Sequence, residues 1–297
     1  MGRIIVQAPR VRAKVSAVIA GQTAGGDFLV RFWGVRGSIA CPGPNYARYG
    51  GNTSCLEVRC GPNLFILDGG TGLRALGESL RNEAVDADLY FTHSHFDHIA
   101  GLPFFRALFK PENRLRLWAG HLLPDAKLQD VIGTMMKAPL FPVPMGVFTA
   151  AVSYHDFTAG EVLTPKPDIT IKTAPLNHPN NATGYRINYR GRSICYVTDT
   201  EHTPGATDQN IVDLCRGADI FIYDCSYTEA EYPLYTGWGH STWQEGARLA
   251  DLAEVKSFVI FHHDPSHDDA TMDRIADEAV KRRPGSIVAR EGMVLRP

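Results

Sequence analysis

The 297-residue sequence has few cysteines, no long apolar run and almost no net charge. Its six cysteines include no CxxC pair and form no dense framework, which indicates buried thiols in a reducing compartment and predicts a cytoplasmic protein. No stretch reaches the ~18 apolar residues of a membrane span, so we expect none. A formal net charge of -2 leaves no excess of basic residues, and binding to extended nucleic acid is therefore not favoured.

Composition divides the chain into two parts. Residues 1–27 place basic residues ahead of the apolar stretch VSAVIA, which is shorter than the core of a secretory signal, and we interpret them as an N-terminal extension. From residue 28 to 297, β-branched and aromatic runs alternate with Gly, Pro and Asn turns and with helical patterns such as LRALGESLRN. This alternation predicts one layered α/β domain. The proline-rich segment MMKAPLFPVPMGVF has no clean period, and we interpret it as an irregular surface segment near a substrate entrance.

Five apolar runs end in residues that bind metals or exchange protons. These runs are ADLYFTHSHFDH, ITIKTAPLNH, SICYVTDT, DIFIYDCS and SFVIFHHD. Strand ends in α/β sheets are where loops emerge and where ligands bind, because the strands hold the side chains rigidly. The five endings therefore predict one shared site.

The densest ending is HSHFDH, which places His93, His95, Asp97 and His98 within six positions. His93 and His95 alternate as on an extended segment, so both imidazoles can point the same way, whereas Asp97 and His98 begin the next turn. Imidazole and carboxylate ligands without cysteine suit Zn²⁺, Mn²⁺ or Fe²⁺, and the geometry suits two metals rather than one. The alternative, a histidine-rich surface loop without ligand function, is disfavoured by this density.

HSHFDH resembles the HxHxDH signature of the metallo-β-lactamase superfamily, and the later strand endings follow that family's order from Phe28 to the C-terminus. The resemblance implies a four-layer αββα sandwich, in which two mixed β-sheets are flanked by helices. It also implies two divalent cations, Zn²⁺ or Mn²⁺, bound by seven residues: His93, His95 and His178 around one, Asp97, His98 and His262 around the other, and Asp199 bridging both.

The last histidine ligand has to be chosen from several candidates, and other ligand positions distinguish between members of the superfamily. FHHDPSHDD offers three histidines, and His262 is preferred because it directly follows the apolar run SFVIF, with His263 as the alternative. Position 199 carries aspartate where members that open β-lactams often carry cysteine, which disfavours β-lactamase activity. The pair Asp97 and His98 also differs from the iron-centred oxygen-reducing members, which usually replace it.

A second motif, GWGHSTWQEGARLA, indicates a branch of the superfamily. Ser241 and Gln244 fit a capping box, so His240 is expected just before a helix N-terminus, whose free N–H groups suit a phosphate. GHST resembles the motif of the RNase Z-like and PhnP-like phosphodiesterases, in which this histidine faces the metals and assists the scissile phosphate. IYDCSY resembles the acidic strand end that precedes it there, which makes Asp224 the expected orienting partner of His240.

The resemblance implies a phosphodiesterase that acts through a metal-bridging hydroxide. Asp97 is expected to receive the proton of the water, and His240 to protonate the leaving oxygen. Only residues 179 to 198 separate His178 from Asp199, which leaves no room for the long arm with which RNase Z proteins bind tRNA. A small phosphodiester, such as a cyclic nucleotide or cyclic phosphate, is therefore the expected substrate, and relatives suggest a homodimer.

Two other functions are compatible with these residues. A thioester or lactone hydrolase would direct the same activated water at a carbonyl carbon. A metal-bearing carrier or sensor would retain the ligands without turnover.

Residues outside the two motifs carry weaker expectations. Asp68 in LDGGTGLR is expected either behind the metal ligands or as a simple turn residue. Arg36 and Arg48 are expected to be solvated loop arginines rather than phosphate ligands. Three histidines without an identified partner are expected at the surface: His121, His155 and His202.

Overall fold

The structure is a computed structural model that describes residues 28–297. The predicted N-terminal extension, residues 1–27, lies outside the described residues. Within residues 28–297 the chain forms two seven-stranded β-sheets with helices on their outer faces.

The first sheet is built mainly from the N-terminal half of the chain. Its strands are β1 (Phe28–Gly34), β2 (Cys55–Cys60), β3 (Asn63–Leu67), β4 (Asp86–Phe91), β5 (Arg114–Ala119), β6 (Ala151–Asp156) and, from the C-terminus, β14 (Val294–Leu295). Their spatial order is β14-β1-β2-β3-β4-β5-β6. The pairs from β3 to β6 are parallel, and those from β14 to β3 are antiparallel.

The second sheet follows in the chain. Its strands are β7 (Val162–Lys166), β8 (Ile169–Leu176), β9 (Ala182–Tyr189), β10 (Arg192–Val197), β11 (Ile220–Asp224), β12 (Ser257–Phe261) and β13 (Ile287–Val288), in the spatial order β13-β12-β11-β10-β9-β8-β7. Strands β10 to β13 are parallel, and β9 runs antiparallel to both β8 and β10. Strands β8, β10, β11 and β12 therefore end at the same edge of this sheet.

Six α-helices complete the described chain. They are α1 (Gly72–Ser79), α2 (Phe96–Ile99), α3 (Leu128–Met135), α4 (Gln209–Cys215), α5 (Trp243–Leu252) and α6 (Asp269–Arg282). Helices α1 and α3 pack on the first sheet, whereas α4, α5 and α6 pack on the second. None of the helices within residues 28–297 is long and apolar enough to cross a bilayer.

Apolar side chains fill three layers of the molecule. The layer between the sheets is rich in aromatic rings, including Phe32, Tyr90, Tyr185, Tyr196 and Phe261, and the two outer layers lie between each sheet and its helices. Both faces of the central strands are buried, which explains why runs such as IFIYD are almost continuously apolar. The predicted four-layer αββα sandwich is confirmed.

One helix start differs from its prediction. Helix α5 is capped by Thr242, whose hydroxyl accepts a hydrogen bond from the Glu245 N–H at 3.1 Å, and not by Ser241 with Gln244. The Ser241 hydroxyl is buried and engaged elsewhere, because it accepts from the Tyr223 hydroxyl at 2.9 Å and lies 2.8 Å from His202 Nδ1. The N-cap of α5 therefore lies one residue later than predicted.

Two other expectations of the sequence hold in the fold. The six cysteines are buried, and none of them forms a disulfide within residues 28–297. The segment after α3 is irregular apart from a short 3₁₀ turn at Met145–Val147, and it exposes Leu140 and Val143.

Candidate metal centre

The candidate site lies where strands of both sheets end. Asp68 directly follows β3, His262 directly follows β12, and Asp199 comes two residues after β10. All three have positive φ, at 60°, 62° and 58°, a backbone conformation that non-glycine residues rarely adopt. Such conformations concentrate at functional sites, where the surrounding structure maintains them.

Seven side chains predicted as metal ligands come together as two groups. In each group one donor atom per residue lies within 4.8 Å of the others. The first group, at the ends of β4 and β8, is His93, His95 and His178; the second is Asp97, His98, Asp199 and His262.

Asp199 lies between the two groups. Its Oδ2 atom is 3.5 Å from His93 Nε2 and 3.7 Å from His178 Nε2. Its Oδ1 atom is 3.3 Å from His98 Nε2 and 3.1 Å from His262 Nε2. One carboxylate oxygen thus faces each group, an arrangement in which a carboxylate can bridge two cations.

Four of the histidines are oriented through their Nδ1 atoms. The oxygen partners are Thr92 Oγ1 for His93 (3.1 Å), Asp68 Oδ2 for His98 (2.8 Å), the Gly239 carbonyl for His178 (2.7 Å) and Ser226 Oγ for His262 (3.0 Å). An Nδ1–H donated to these oxygens leaves each Nε2 lone pair free. His95 differs, because its Nδ1 lies 3.0 Å from His178 Nε2 and its Nε2 contacts Asn180.

Three of these Nε2 atoms have an Asp199 oxygen 3.1–3.5 Å away but no hydrogen-bonded partner within residues 28–297, whereas His178 Nε2 lies against His95. The Nε2 atoms of His93, His98 and His262 are buried and make no hydrogen bond. Buried polar atoms are almost always paired, so three unpaired imidazole nitrogens around one carboxylate call for a further partner. Their neutral imidazole and carboxylate character fits a divalent cation such as Zn²⁺ or Mn²⁺.

Electrostatics favour the metal-binding form of His93 and Asp199, whereas the carboxylates of Asp97, Asp199 and Asp68 outweigh burial and raise the pKa of His98 well above the usual histidine value. Burial, reinforced by the neighbouring His98, holds the pKa of His93 well below the usual histidine value. Burial would raise the pKa of Asp199, but the surrounding imidazoles of His262, His98 and His93 hold it well below the usual range. A neutral His93 and an ionised Asp199 are the states that bind metals.

Asp97 and Asp68 occupy opposite sides of His98. Asp97 Oδ2 accepts a hydrogen bond from the Ser38 N–H at 2.8 Å and lies 3.2 Å from His98 Nε2. Asp68 is fully buried; its carboxylate accepts from Thr92 and from the Tyr196 hydroxyl in addition to its contact with His98 Nδ1. The structure therefore places Asp68 behind the candidate ligand His98, which was one of the two positions expected from the sequence.

His240 and Asp224 form a pair at the edge of the second group. His240 Nδ1 lies 3.0 Å from Asp224 Oδ2. Burial alone would lower the pKa of His240, but the Asp224 carboxylate raises it to about 9. The other Asp224 oxygen accepts from the Ser226 hydroxyl at 2.8 Å, and Ser226 in turn contacts His262. Asp224 therefore orients His240 directly and His262 through one serine.

His263 lies outside both groups. Its Nε2 is 2.9 Å from the Ala289 carbonyl, and its ring packs edge-on against Tyr49. Burial lowers the pKa of His263 to about 3. Of the two histidines, only His262 therefore faces the site.

Four residues that were expected to be exposed to solvent are buried or partly buried. Arg36 is fully buried, and its guanidinium donates to the carbonyls of Gly50, Asp264 and His267, so it ties loops together and is not solvated. His121 is buried against Ser94 rather than exposed.

His155 and His202 are partly buried, stacked on Trp118 and Tyr232 respectively. Each ring has an aromatic partner distant in sequence, which local patterns do not reveal. Arg48, by contrast, is solvated as expected and pairs with Asp273 at 2.7 Å.

Several residues at the site were not identified from the sequence. They are the oriented partners Ser38, Thr92, Tyr196, Glu201, Ser226 and Gly239. Thr92, Glu201, Ser226 and Gly239 each lie within two residues of a predicted site residue, which is the one signal that could have indicated them. The others reach the site through the fold.

A scan of family models matches residues 63–263 to the β-lactamase superfamily domain. The chain belongs to the β-lactamase superfamily. It is 25% identical to the ribonuclease Z of Synechococcus sp. (strain CC9311), with 72% of this chain and 85% of that protein covered. The superfamily membership predicted from HSHFDH, with RNase Z-like and PhnP-like relatives, is confirmed.

Solved structures of the superfamily share the fold. YhfI from Bacillus subtilis superposes with a TM-score of 0.67 at 20% identity, covering 92% of this chain and 100% of that one. A diphosphatase from the PhnP family gives a TM-score of 0.65 at 20% identity, covering 91% and 98%. The superfamily match, the ribonuclease Z relative and the donor groups identify the chain as a metal-dependent hydrolase.

Proposed function

We propose that residues 28–297 form a dinuclear metal-dependent phosphodiesterase that acts on a small phosphodiester. The observation that carries the proposal is the position of Asp199, which directs one carboxylate oxygen to each of two ligand groups. His93, His95 and His178 would hold one cation and Asp97, His98 and His262 the other. Two bound divalent cations would lower the pKa of a water molecule and neutralise charge on phosphoryl oxygens.

His240 is the proposed general acid. Asp224 raises its pKa to about 9, so the imidazole carries a proton on both nitrogens near neutral pH. With Nδ1 held by Asp224, the Nε2 proton is available to the leaving oxygen of the substrate. Asp97 is the proposed acceptor of the proton from the attacking water, and the Ser38 N–H fixes its Oδ2 atom.

The protonated His240 favours a phosphodiester over the alternative carbonyl substrates. A cationic imidazole beside a two-cation site attracts an anionic phosphodiester, whereas the scissile bond of a thioester or lactone carries no charge. The names of the relatives, ribonuclease Z and a PhnP-family diphosphatase, support the same choice. A carrier or sensor without turnover would have no need for a charged acid beside the ligands.

A small substrate is supported by the chain between His178 and Asp199. That interval holds only β9, β10 and the turn at Arg190 and Gly191, so no arm for a large RNA extends from it. The formal net charge of -2 gives no further means of holding a long phosphate backbone. Cyclic nucleotides and cyclic phosphates are the proposed substrate class.

The test is hydrolysis of bis-p-nitrophenyl phosphate by protein loaded with Mn²⁺ or Zn²⁺. We expect turnover that is lost on chelation, and a fall in kcat of roughly 10²–10⁴-fold in His240→Ala with metal content retained. His155→Ala, which removes a histidine stacked on Trp118 outside the donor groups, is the control and should retain activity.

Two results would contradict the proposal. One is faster turnover of an acyl thioester or lactone than of any phosphodiester. The other is full metal loading with no turnover of cyclic nucleotides, cyclic phosphates or bis-p-nitrophenyl phosphate.

A further inference from the structure

Glu201 links the ends of two strands of the second sheet. It lies two residues after Asp199, just beyond the end of β10. Its backbone is paired with Asn177, the residue before His178. The Glu201 N–H donates to the Asn177 carbonyl, and the Asn177 side-chain amide donates to the Glu201 carbonyl, each at 2.8 Å. The position of Glu201 is therefore fixed relative to the ends of both β8 and β10.

The carboxylate of Glu201 binds a third segment, the loop between β11 and α5. Its Oε1 atom accepts a hydrogen bond from the Gly237 N–H and its Oε2 atom from the Gly239 N–H, each at 2.7 Å. Both glycines have positive φ, at 89° and 85°, and glycine leaves such a conformation more easily than any other residue. Since hydrogen bonds to a carboxylate are stronger than those to a neutral acceptor, this pair of bonds holds the loop in place.

The loop that Glu201 holds carries two functional contacts. The Gly239 carbonyl lies 2.7 Å from Nδ1 of the candidate ligand His178, and the residue after Gly239 is the candidate acid His240. The ring centroids of His178 and His240 are 5.4 Å apart. The packing is close, because a Cβ added to Gly239 would lie 2.3 Å from His178 Nδ1. A shift of this loop would therefore disturb the ligand and the acid together.

We propose that Glu201 is a positioning residue that orients the ligand His178 and the acid His240 at the same time. The N–H groups of Gly237 and Gly239 each occupy one of its carboxylate oxygens, so both oxygens are needed. The carboxylate acts through the loop backbone. Its effect on His178 depends only on the first donor group, whereas its effect on His240 rests on the proposed phosphodiesterase function.

Glu231 provides the matched control, because it binds backbone of the same loop away from the site. It is partly buried, as Glu201 is, and accepts from the Thr228 N–H at 2.8 Å and from the Thr228 hydroxyl at 2.7 Å. Its other oxygen contacts His267, which belongs to neither donor group. Glu201→Gln and Glu231→Gln each replace one acceptor oxygen with an amide donor of the same size. Thermal unfolding of both variants measures any general loss of stability.

The first measurement follows His178 by proton–nitrogen NMR of the full chain at saturating Zn²⁺. The Nδ1–H that donates to the Gly239 carbonyl should be protected from solvent exchange in the wild type, and its resonance is identified by its absence in His178→Ala. Glu201→Gln should lose this protection, because its amide places a donor against one of the two glycine N–H groups and releases the loop. Glu231→Gln should retain it.

The second measurement is release of the cations by a competing chelator. In Glu201→Gln one cation per chain should be bound roughly 10- to 100-fold more weakly, the usual effect of losing a ligand's orienting partner, while the other is bound as in the wild type. Glu231→Gln should bind both as the wild type does. A loss of stability without a positioning effect would not weaken one cation selectively.

The third measurement separates the acid from the metals. p-Nitrophenolate leaves readily without a proton, whereas phenolate depends on a general acid, so bis-p-nitrophenyl phosphate and diphenyl phosphate are compared as substrates at saturating Zn²⁺. Glu201→Gln should reduce kcat more for diphenyl phosphate, within the roughly 10²–10⁴-fold that general acid catalysis contributes. Glu231→Gln should reduce neither.

The outcomes keep this inference apart from the proposed function. A protected His178 proton in Glu201→Gln, release of both cations as in the wild type, or the same changes in Glu231→Gln would overturn the role of Glu201, even if both esters are hydrolysed. An equal fall in kcat for the two esters would overturn its link to His240. Loss of the protected proton and of one cation, without hydrolysis of any phosphodiester by the wild type, would support the positioning of His178 and overturn the proposed function instead.

Discussion

The two halves of the candidate metal centre are assembled in different ways. Residues 92–98, which follow β4, supply four candidate ligands from one short segment, and their spacing alone places them together. The remaining residues come from four separate segments that follow strands of the second sheet: His178, Asp199, His240 and His262. The first half is encoded by local sequence. The second depends on strands that end at a common edge and on hydrogen bonds that orient each side chain.

Removal of the Asp199 side chain should disrupt both donor groups at once and give the largest effect on activity. Because its oxygens face both groups, Asp199→Ala should lose both bound cations and reduce kcat/KM by roughly a thousand-fold or more, since metals contribute several kcal/mol to transition-state stabilisation. Metal content per chain is measured by elemental analysis, and circular dichroism checks the fold.

The matched variant for this comparison is His95→Ala. His95 belongs to the first group only, so this variant should retain about one cation per chain. If Asp199→Ala keeps the metal content of the wild type, Asp199 is not a bridge.

The contrast between the halves also shows what the sequence could predict. The HSHFDH segment and the strand endings contain every residue of the two donor groups, because ligand spacing and strand ends are local patterns, but the assignment of His178, Asp199 and His262 as ligands came from family resemblance. The layered α/β architecture followed from alternating strands and helices, whereas the αββα order came from family resemblance.

What the sequence did not predict depends on contacts between distant segments. Arg36 lies in a turn-rich loop, yet it is buried because the chain near Asp264 and His267 folds over it and offers carbonyl acceptors. Ser241 matched a capping pattern, but the Tyr223 hydroxyl engages it and leaves capping to Thr242. Local patterns contain no information on such partners.

Gly239→Ala should test how strictly the second half depends on its supporting loop. A Cβ at this position would lie 2.3 Å from His178 Nδ1, and the positive φ of 85° adds backbone strain. Displacement of His178 should weaken metal binding by roughly 10- to 100-fold, as is typical for loss of a ligand's orienting partner. Competition with a chelator measures this affinity.

Gly285→Ala is the control for the backbone strain that alanine adds at a positive φ. Gly285 has the same φ of 85°, but no atom lies within 4 Å of an added Cβ. Equal chelator resistance in the two variants would show that the clash with His178 has no consequence.

Asp224→Asn should shift the pH range in which His240 is protonated. Asp224 raises the pKa of His240 to about 9, so the protonated acid is present at lower pH and is lost as the pH rises through about 9. If the variant returns this pKa to about 6.5, kcat/KM at pH 8 should fall roughly 30-fold, with a smaller loss at pH 6. The alkaline limb of the pH–rate profile is the measurement.

Ser226→Ala separates the two functions of Asp224. It removes the link to His262 but leaves the Asp224–His240 contact in place. This variant should bind metal more weakly without moving the alkaline limb. An alkaline limb that stays in place in Asp224→Asn would exclude His240 as the titrating acid.

The smallest effect is expected from two helix caps, of which only the first lies close in sequence to His240. Thr242 caps α5, two residues after His240, and Asp268 caps α6, six residues after His262. Loss of either cap in Thr242→Ala or Asp268→Ala should cost about 1 kcal/mol of unfolding free energy and lower the Tm by about 2–4 °C. Only Thr242→Ala should also reduce kcat, by roughly two- to five-fold at most, because the first turn of α5 positions the loop that carries His240. Equal kcat losses in the two variants would mean that activity follows global stability, and that the orientation of His240 does not depend on its own helix.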